Sequence, residues 1–334
     1  RDRTAAVNRG LLALLAIAAL AGFVASLALG PVAIEPGAAL GALFGEGPEA
    51  LRLIVVEIRL PRAILALAIG AALGIAGAAL QGYLRNPLAE PGVVGVSAAG
   101  ALGAVVVFYF GLSRAFPLAL PLGGLVGAGV GVWLVYALAG RGGSTATLIL
   151  AGVAVNALAG ALTALALSVA PSPYATLEII HWMLGGLTDR GMTHVWLALP
   201  FVLAGIATLA TLGRGLDALT LGEEAAQSMG IGLASVRLRL VLGTALAVGA
   251  STAVAGVIGF VGLVVPHLLR GRVGHRPGAL LLASALGGAT LTLLADLAAR
   301  LILTDREINL GVLTALIGAP FFLALVLQAR RSEP

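Results

Sequence analysis

The sequence has no cysteine and no lysine, and only 10% of its 334 residues are charged. Without cysteine there are no disulfide staples, thiolate metal sites or thiol nucleophiles. Without lysine there is no G-x-x-x-x-G-K phosphate loop, so any ATP chemistry must reside in another chain. A water-soluble chain carries about 25% charge, so the third shortage excludes a soluble enzyme, a disordered chain and a nucleic-acid binder. What is present is apolar: 60% of the residues are hydrophobic and mean hydropathy is +1.07. That is roughly 200 residues, enough for about ten helical membrane spans. The apolar runs are continuous, which also excludes the alternating pattern of a transmembrane β-barrel.

Ten apolar runs are bounded by Arg, Pro or Gly clusters. They cover about 10–30, 63–84, 97–112, 118–139, 146–169, 193–212, 238–256, 258–269, 279–303 and 309–328. The first resembles a signal peptide but lacks a small-residue cleavage site before a polar region, and is taken as a retained span. Between 238 and 269 the chain is read either as one kinked helix or as two, and Gly256, Gly259, Gly262 and Pro266 favour a break. With the N-terminus inside, thirteen of the twenty arginines fall on inner segments and seven on outer ones, while nine of the fifteen acids fall outside. The positive-inside rule then places both termini in the cytoplasm, and the basic pI becomes a topology signal. Fold class is therefore all-α and polytopic, a single membrane domain over 1–334 with a polar inner loop at 214–237.

Ala66–Gly77 and Ala245–Gly256 match at seven of twelve positions, five spans apart, and must run in opposite directions. Inverted repeats of this kind mark transporters whose substrate path lies between the halves. Gly70/Gly74 and Gly123/Gly127/Gly131, at four-residue spacing, specify close helix packing and no chemistry.

Four constellations are candidates for function. Arg59, Arg62 and Arg300 lie at outer span ends against the inside bias; they are either snorkelling arginines or a docking surface for carboxylates. The polar loop 214–237 holds Asp217, Leu221, Gly222, Glu223, Glu224, Ala225, Gln227 and Gly230, and within it Glu223–Ser228 has helix-forming composition with acids in the first turn. It reads as a solvated connector or as a socket for a cytoplasmic partner. Leu84–Gly92 holds two prolines and a glycine, with Glu90 placed to pair with Arg85, and non-helical backbone here must be buried or line a cavity. Gly142–Thr145 is a helix cap or, through Ser144 and Thr145, a narrow inner gate. Enzyme readings find less support. Ser251, His267 and Asp296 share no spacing, and His181, Met183, Met192 and His194 lack a carboxylate to complete a metal site.

Several motifs in register resemble the FecCD/BtuC-like permeases of type II ABC importers. They are Gln81 with Asn86–Gly92, Leu150–Val153, Trp182–Gly186, Leu221–Glu223 with Met229–Gly230, Gly259–Arg270, Leu294–Asp296 with Arg300, and Gly311 through Gly318–Phe322. The resemblance implies a homodimeric inner-membrane permease with two ATP-binding cassette subunits and a periplasmic binding protein. It carries no permanent cofactor, ATP and Mg being bound by the partner. By the same resemblance Arg59, Arg62 and Arg300 receive the binding protein's carboxylates, the 221–230 loop couples to the ATPase, Ser144 and Thr145 gate the inner side, and Asn156 lines the path. His181 stands where an aromatic is usual before Trp182, and Ala319 where Gly is common. His181, which can touch iron, and arginines, which can meet propionates, favour haem as cargo over a ferric siderophore or cobalamin.

Overall fold

A computed structural model describes residues 2–112, 116, 118–140, 145–170, 172–302 and 307–331, whose regular structure is all helical with no strand. In chain order the helices are α1 (Asp2–Ala28), α2 (Pro36–Leu43), α3 (Glu49–Leu84), α4 (Val96–Tyr109), α5 (Ala119–Ala139), α6 (Thr145–Ser168) and α7 (Pro173–Met183). The second half contains α8 (Met192–Ala210), α9 (Gly213–Leu219), α10 (Glu223–Ser228), α11 (Leu233–Ala255), α12 (Val261–Arg270), α13 (Pro277–Leu301) and α14 (Leu310–Arg331). Each of the ten apolar runs has its own helix. Seven of these helices, among the described residues, are long and apolar enough to cross a membrane, while α4, α12 and the apolar part of α14 are shorter.

The run 238–269 resolves into two helices. α11 ends at Ala255, the chain crosses Gly256–Phe260 without helical bonding, and α12 begins at Val261. Gly256 has φ of +72°, a conformation that glycine adopts without steric cost, whereas Gly262 and Pro266 lie inside α12.

α3 starts well before the apolar run that announced it, because Glu49, Arg52, Glu57, Arg59 and Arg62 mask its first turns. Pro61 has no N–H to return to the preceding turn, and its ring crowds a carbonyl there. The backbone widens into a π-helical stretch over Leu53–Arg59 and the helix passes through unbroken. α3 is the centre of the bundle: 83% of its apolar stretch is buried, against 28% for α1 and for α8.

Small residues let the backbones meet. Gly70 and Gly74 of α3 sit on Gly288 and Ser284 of α13, and Gly77 sits on Gly262 of α12. The order of those contacts makes α3 and α13 antiparallel. The repeat helices α3 and α11 are antiparallel too, since Tyr83 at the end of α3 accepts a hydrogen bond from Arg237 near the start of α11 at 3.2 Å. α2 and α7 lie where the sequence reads as connecting loop, and α7 begins at Ser172, whose hydroxyl accepts from Ala175 N in an N-cap.

A methyl group at Gly77 would overlap the carbonyl of Gly262. Gly77→Ala is therefore expected to lower stability by about 1–3 kcal/mol through overpacking, read as a fall in the melting temperature of detergent-solubilised protein. Gly129→Ala, where a methyl meets nothing within 4 Å, is the control that should change little.

Candidate functional site

Arg59, Arg62 and Arg300, expected to present three free cations, are all buried and all partnered. Arg59 caps α1: its guanidinium donates to the carbonyls of Leu27 (2.9 Å), Ala28 (2.8 Å) and Val32. The carbonyls at a helix C-terminus have no partners within the helix, and a cation there satisfies them. Arg62 reaches across to α13, its Nε lying 2.9 and 3.1 Å from the two oxygens of Asp296. Arg300 lies one turn beyond Asp296, 3.1 Å from its carboxylate, and also donates to the Ser26 hydroxyl of α1 at 2.7 Å. Asp296 is fully buried between two cations. An isolated charge out of water is costly, and the shared carboxylate offsets part of the positive charge of the two arginines. The turn inward replaces the expected outward display.

Among the described residues the cluster has one solvent-facing acid, Glu307, which no sequence motif singles out. Glu307 lies 2.9 Å from Arg62 Nη1 and accepts from the Thr188 hydroxyl at 2.9 Å. Its side chain is 33% exposed. Burial raises its pKa, but Arg62, Thr188 and Arg300 outweigh that and hold the carboxyl below its ordinary value. Such a depressed group contributes stability above its unfolded pKa and loses it only as pH falls through the lower folded value.

At the other end of α3 the non-helical segments lock together. Glu90 does not pair with Arg85, as the sequence reading had placed it; it accepts from Phe260 N at 2.6 Å, in the break between α11 and α12. Burial raises its pKa, partly offset by this hydrogen bond. Gln81 donates to the carbonyls of Ala89 (3.2 Å) and Gly262 (3.3 Å) and accepts from Arg270 at 2.6 Å. A second backbone junction ties α7, α11 and α14: Gly186 N donates to Ala255 O (2.8 Å) and Gly311 N to Gly185 O (3.0 Å).

His181 and Asn156 are both exposed but line separate clefts. His181 rims one of about 580 Å³ with Phe108, Trp182, Thr188, Arg190 and Asn309. Asn156 lines one of about 400 Å³ with Gly92, Ser97, Thr163 and Met183. The junction at Trp182–Gly186 lies between them. Ser144 falls outside the described residues, and of Thr145 only its place as the first residue of α6 is described.

The 214–237 segment folds into the pair α9–α10 and the start of α11. Asp217 faces inward, accepting from Gly278 N at 2.8 Å and pairing with Arg276 at 3.3 Å, which anchors the pair to the N-terminus of α13. Gly222 and Gly230 bracket α10, Ala226 is its buried contact, and Glu224 and Gln227 are exposed. Leu221 and Met229 project into solvent, 67% and 60% exposed.

The enzyme constellations are dispersed. Ser251 donates to Ala247 O, His267 packs edge-on against Phe321 at 5.6 Å, and Asp296 belongs to the arginines. His194 accepts from Gly191 N at the start of α8, and no group of three metal-binding side chains occurs among the described residues.

In Glu90→Gln the amide oxygen can still accept from Phe260 N without a buried charge, so stability should hold. Glu90→Ala orphans that N–H and should cost about 1–3 kcal/mol. Thermal unfolding of the two variants checks the difference.

Comparison with known proteins agrees with this geometry. The FecCD transport family matches residues 17–328. The hemin transport system permease protein HmuU of Yersinia pestis is 39% identical over 292 residues, covering 85% of this chain and 86% of the relative. The cobalamin import system permease protein BtuC of Halobacterium salinarum is 40% identical over 281 residues, 84% of this chain and 74% of the relative. A solved structure described as an inward-facing conformation of a metal-chelate type ABC transporter superposes with a TM-score of 0.85 at 30% identity, covering 96% of this chain and 99% of that one. A buried ionic cluster at one end of α3, an anchored helix pair at the other and a likeness that spans both ends lead to one conclusion: the chain belongs to the FecCD transport family, as a permease subunit of an ABC importer.

Proposed function

We propose that this permease carries a metal chelate, haem in preference to a ferric siderophore or cobalamin, from a periplasmic binding protein to the cytoplasm. The observation that carries the reading is the separation of two unlike surfaces along α3. The cleft rimmed by His181 adjoins Arg62, whereas α9–α10, with exposed Leu221 and Met229, packs beside Gly82. Twenty residues of helix put about 30 Å between them, the thickness of a bilayer's hydrocarbon core. The arginine bias makes the α9–α10 end cytoplasmic, together with both termini, in an inner membrane.

At the cytoplasmic end, Leu221, Gly222, Glu223, Glu224, Ala225, Gln227 and Gly230 form the face received by the ATPase. Asp217 holds that face on the bundle. At the outer end a carboxylate of the binding protein engages the Arg59–Arg62–Arg300 cluster. Two copies of the permease enclose a path lined by α6, with Asn156 along it and the Ser144–Thr145 segment as inner gate, and two ATPase subunits bind ATP and Mg. ATP can drive accumulation only by favouring one of two states, since a ligand shifts an equilibrium through its differential affinity. The mainly apolar cleft along Asn156 holds cargo loosely, and affinity resides in the binding protein. The alternative of a proton-driven carrier requires a free ionisable group within a span, and Asp296 is already committed to two arginines.

His181 favours haem because a neutral imidazole is an iron ligand, and it is exposed at the mouth of its cleft. The complex reconstituted with its ATPase should hydrolyse ATP several-fold faster with haem-loaded binding protein, and His181→Ala should slow haem entry. Stimulation by a cobalamin- or siderophore-loaded protein and not by the haem-loaded one would sink the haem assignment and leave the importer standing. No stimulation by any loaded protein would sink the importer reading.

A further inference from the structure

Resting on the reading that a carboxylate of the binding protein engages the arginine cluster, we propose that Glu307 is an internal placeholder for that carboxylate. Its displacement from Arg62 releases Thr188 and so passes the docking event to the His181 cleft.

Arg62 has two acidic partners that differ in access. Asp296 is fully buried and holds Nε from within the bundle. Glu307 holds Nη1 from the solvent side, with a third of its side chain exposed. An incoming carboxylate cannot reach the position of Asp296 but can take that of Glu307. Charge balance favours an exchange over a simple addition or loss. Among the described residues the cluster holds Arg59, Arg62 and Arg300 against Asp296 and Glu307, and removing an acid without replacement strands a buried cation. Replacing one carboxylate by another keeps Arg62 satisfied throughout, so the swap is cheap in either direction.

Transmission follows from the atoms involved. One oxygen of Glu307, Oε2, accepts from both Arg62 Nη1 and Thr188 Oγ1. Withdrawal from the arginine therefore removes the acceptor of the threonine in the same movement. Thr188 belongs to the turn after α7 that walls the cleft together with Gly186 and Arg190. The chain just past Glu307 is strapped to the same place: Asn309 Nδ2 donates to His181 O at 3.3 Å, and Gly311 N to Gly185 O. A shift of Glu307 thus pulls on the cleft from its wall and from its rim. Arg62 alone lacks this connection, since its other partner, Asp296, sits in the rigid body of α13.

The test measures affinity of the loaded binding protein for the permease–ATPase complex in nanodiscs, and the hydrolysis that docking elicits. Glu307→Gln removes the competing charge and should tighten docking by about three- to tenfold; damage to the fold would only weaken it. Thr188→Val leaves Glu307 on Arg62, so docking affinity should stay within about twofold while docking-stimulated hydrolysis falls by half or more. Unchanged or weaker docking in Glu307→Gln overturns the placeholder, and full stimulation in Thr188→Val overturns the transmission step. A wild-type complex that binds no loaded protein overturns the docking reading itself, and the placeholder with it.

Discussion

Asp296 governs the end of the bundle where α1, α3 and α13 meet. A lone carboxylate in hydrocarbon is too costly to keep ionised, and so is each arginine around it. Together they form a chain of charges and hydrogen bonds from Ser26 through Arg300, Asp296 and Arg62 to Glu307 and Thr188. That chain ties three helices, of which α3 and α13 meet elsewhere through Gly70, Gly74 and Gly288. Only at its last link does it come within reach of water.

The same shortage of water explains the other special places in the fold. Backbone groups freed by a helix break must find partners inside the protein. The break after α11 meets this demand with Glu90 on Phe260 N, Gln81 on the carbonyls of Ala89 and Gly262, and the Gly186–Ala255 pair. Interhelical packing has no hydrophobic drive in lipid, so glycines at 70, 74 and 77 do the work of close approach on α3. A transport protein gains from this construction. Helices that slide on small residues and are pinned by a few polar junctions have a small number of discrete ways to rearrange.

Much of the fold was legible because period and length are local properties. The ten apolar runs are ten helices, and the break at Gly256 was signalled by glycine itself. Helix α3 is longer than its apolar run because five charged residues interrupt its first turns, and two of them, Arg59 and Arg62, belong to the ionic cluster. α2 and α7 escaped because they are short and lie among loop-like residues. Of the candidate sites, composition reveals α10 but not α9, and Leu221 and Met229 beside α10 are exposed. The inward turn of Arg59, Arg62 and Arg300 is not legible in the sequence. Sequence marks an arginine that defies the topology bias but cannot show which acid it has found, since Asp296 and Glu307 lie more than two hundred residues away from Arg62.

The sequence by itself determined that the chain crosses a membrane many times, that two of its spans share a repeated stretch, and that any ATP chemistry built on a lysine phosphate loop lies in another chain. These follow from hydropathy, repetition and the absence of lysine, which any fold of the chain must honour. Only the tertiary structure decided that Asp217 anchors a helix pair, that Glu90 holds a broken helix in place of Arg85, and that the arginines face inward with one exposed acid on guard. Pairing of charges depends on distance in space, and in a medium that cannot solvate them the fold must bring distant partners together.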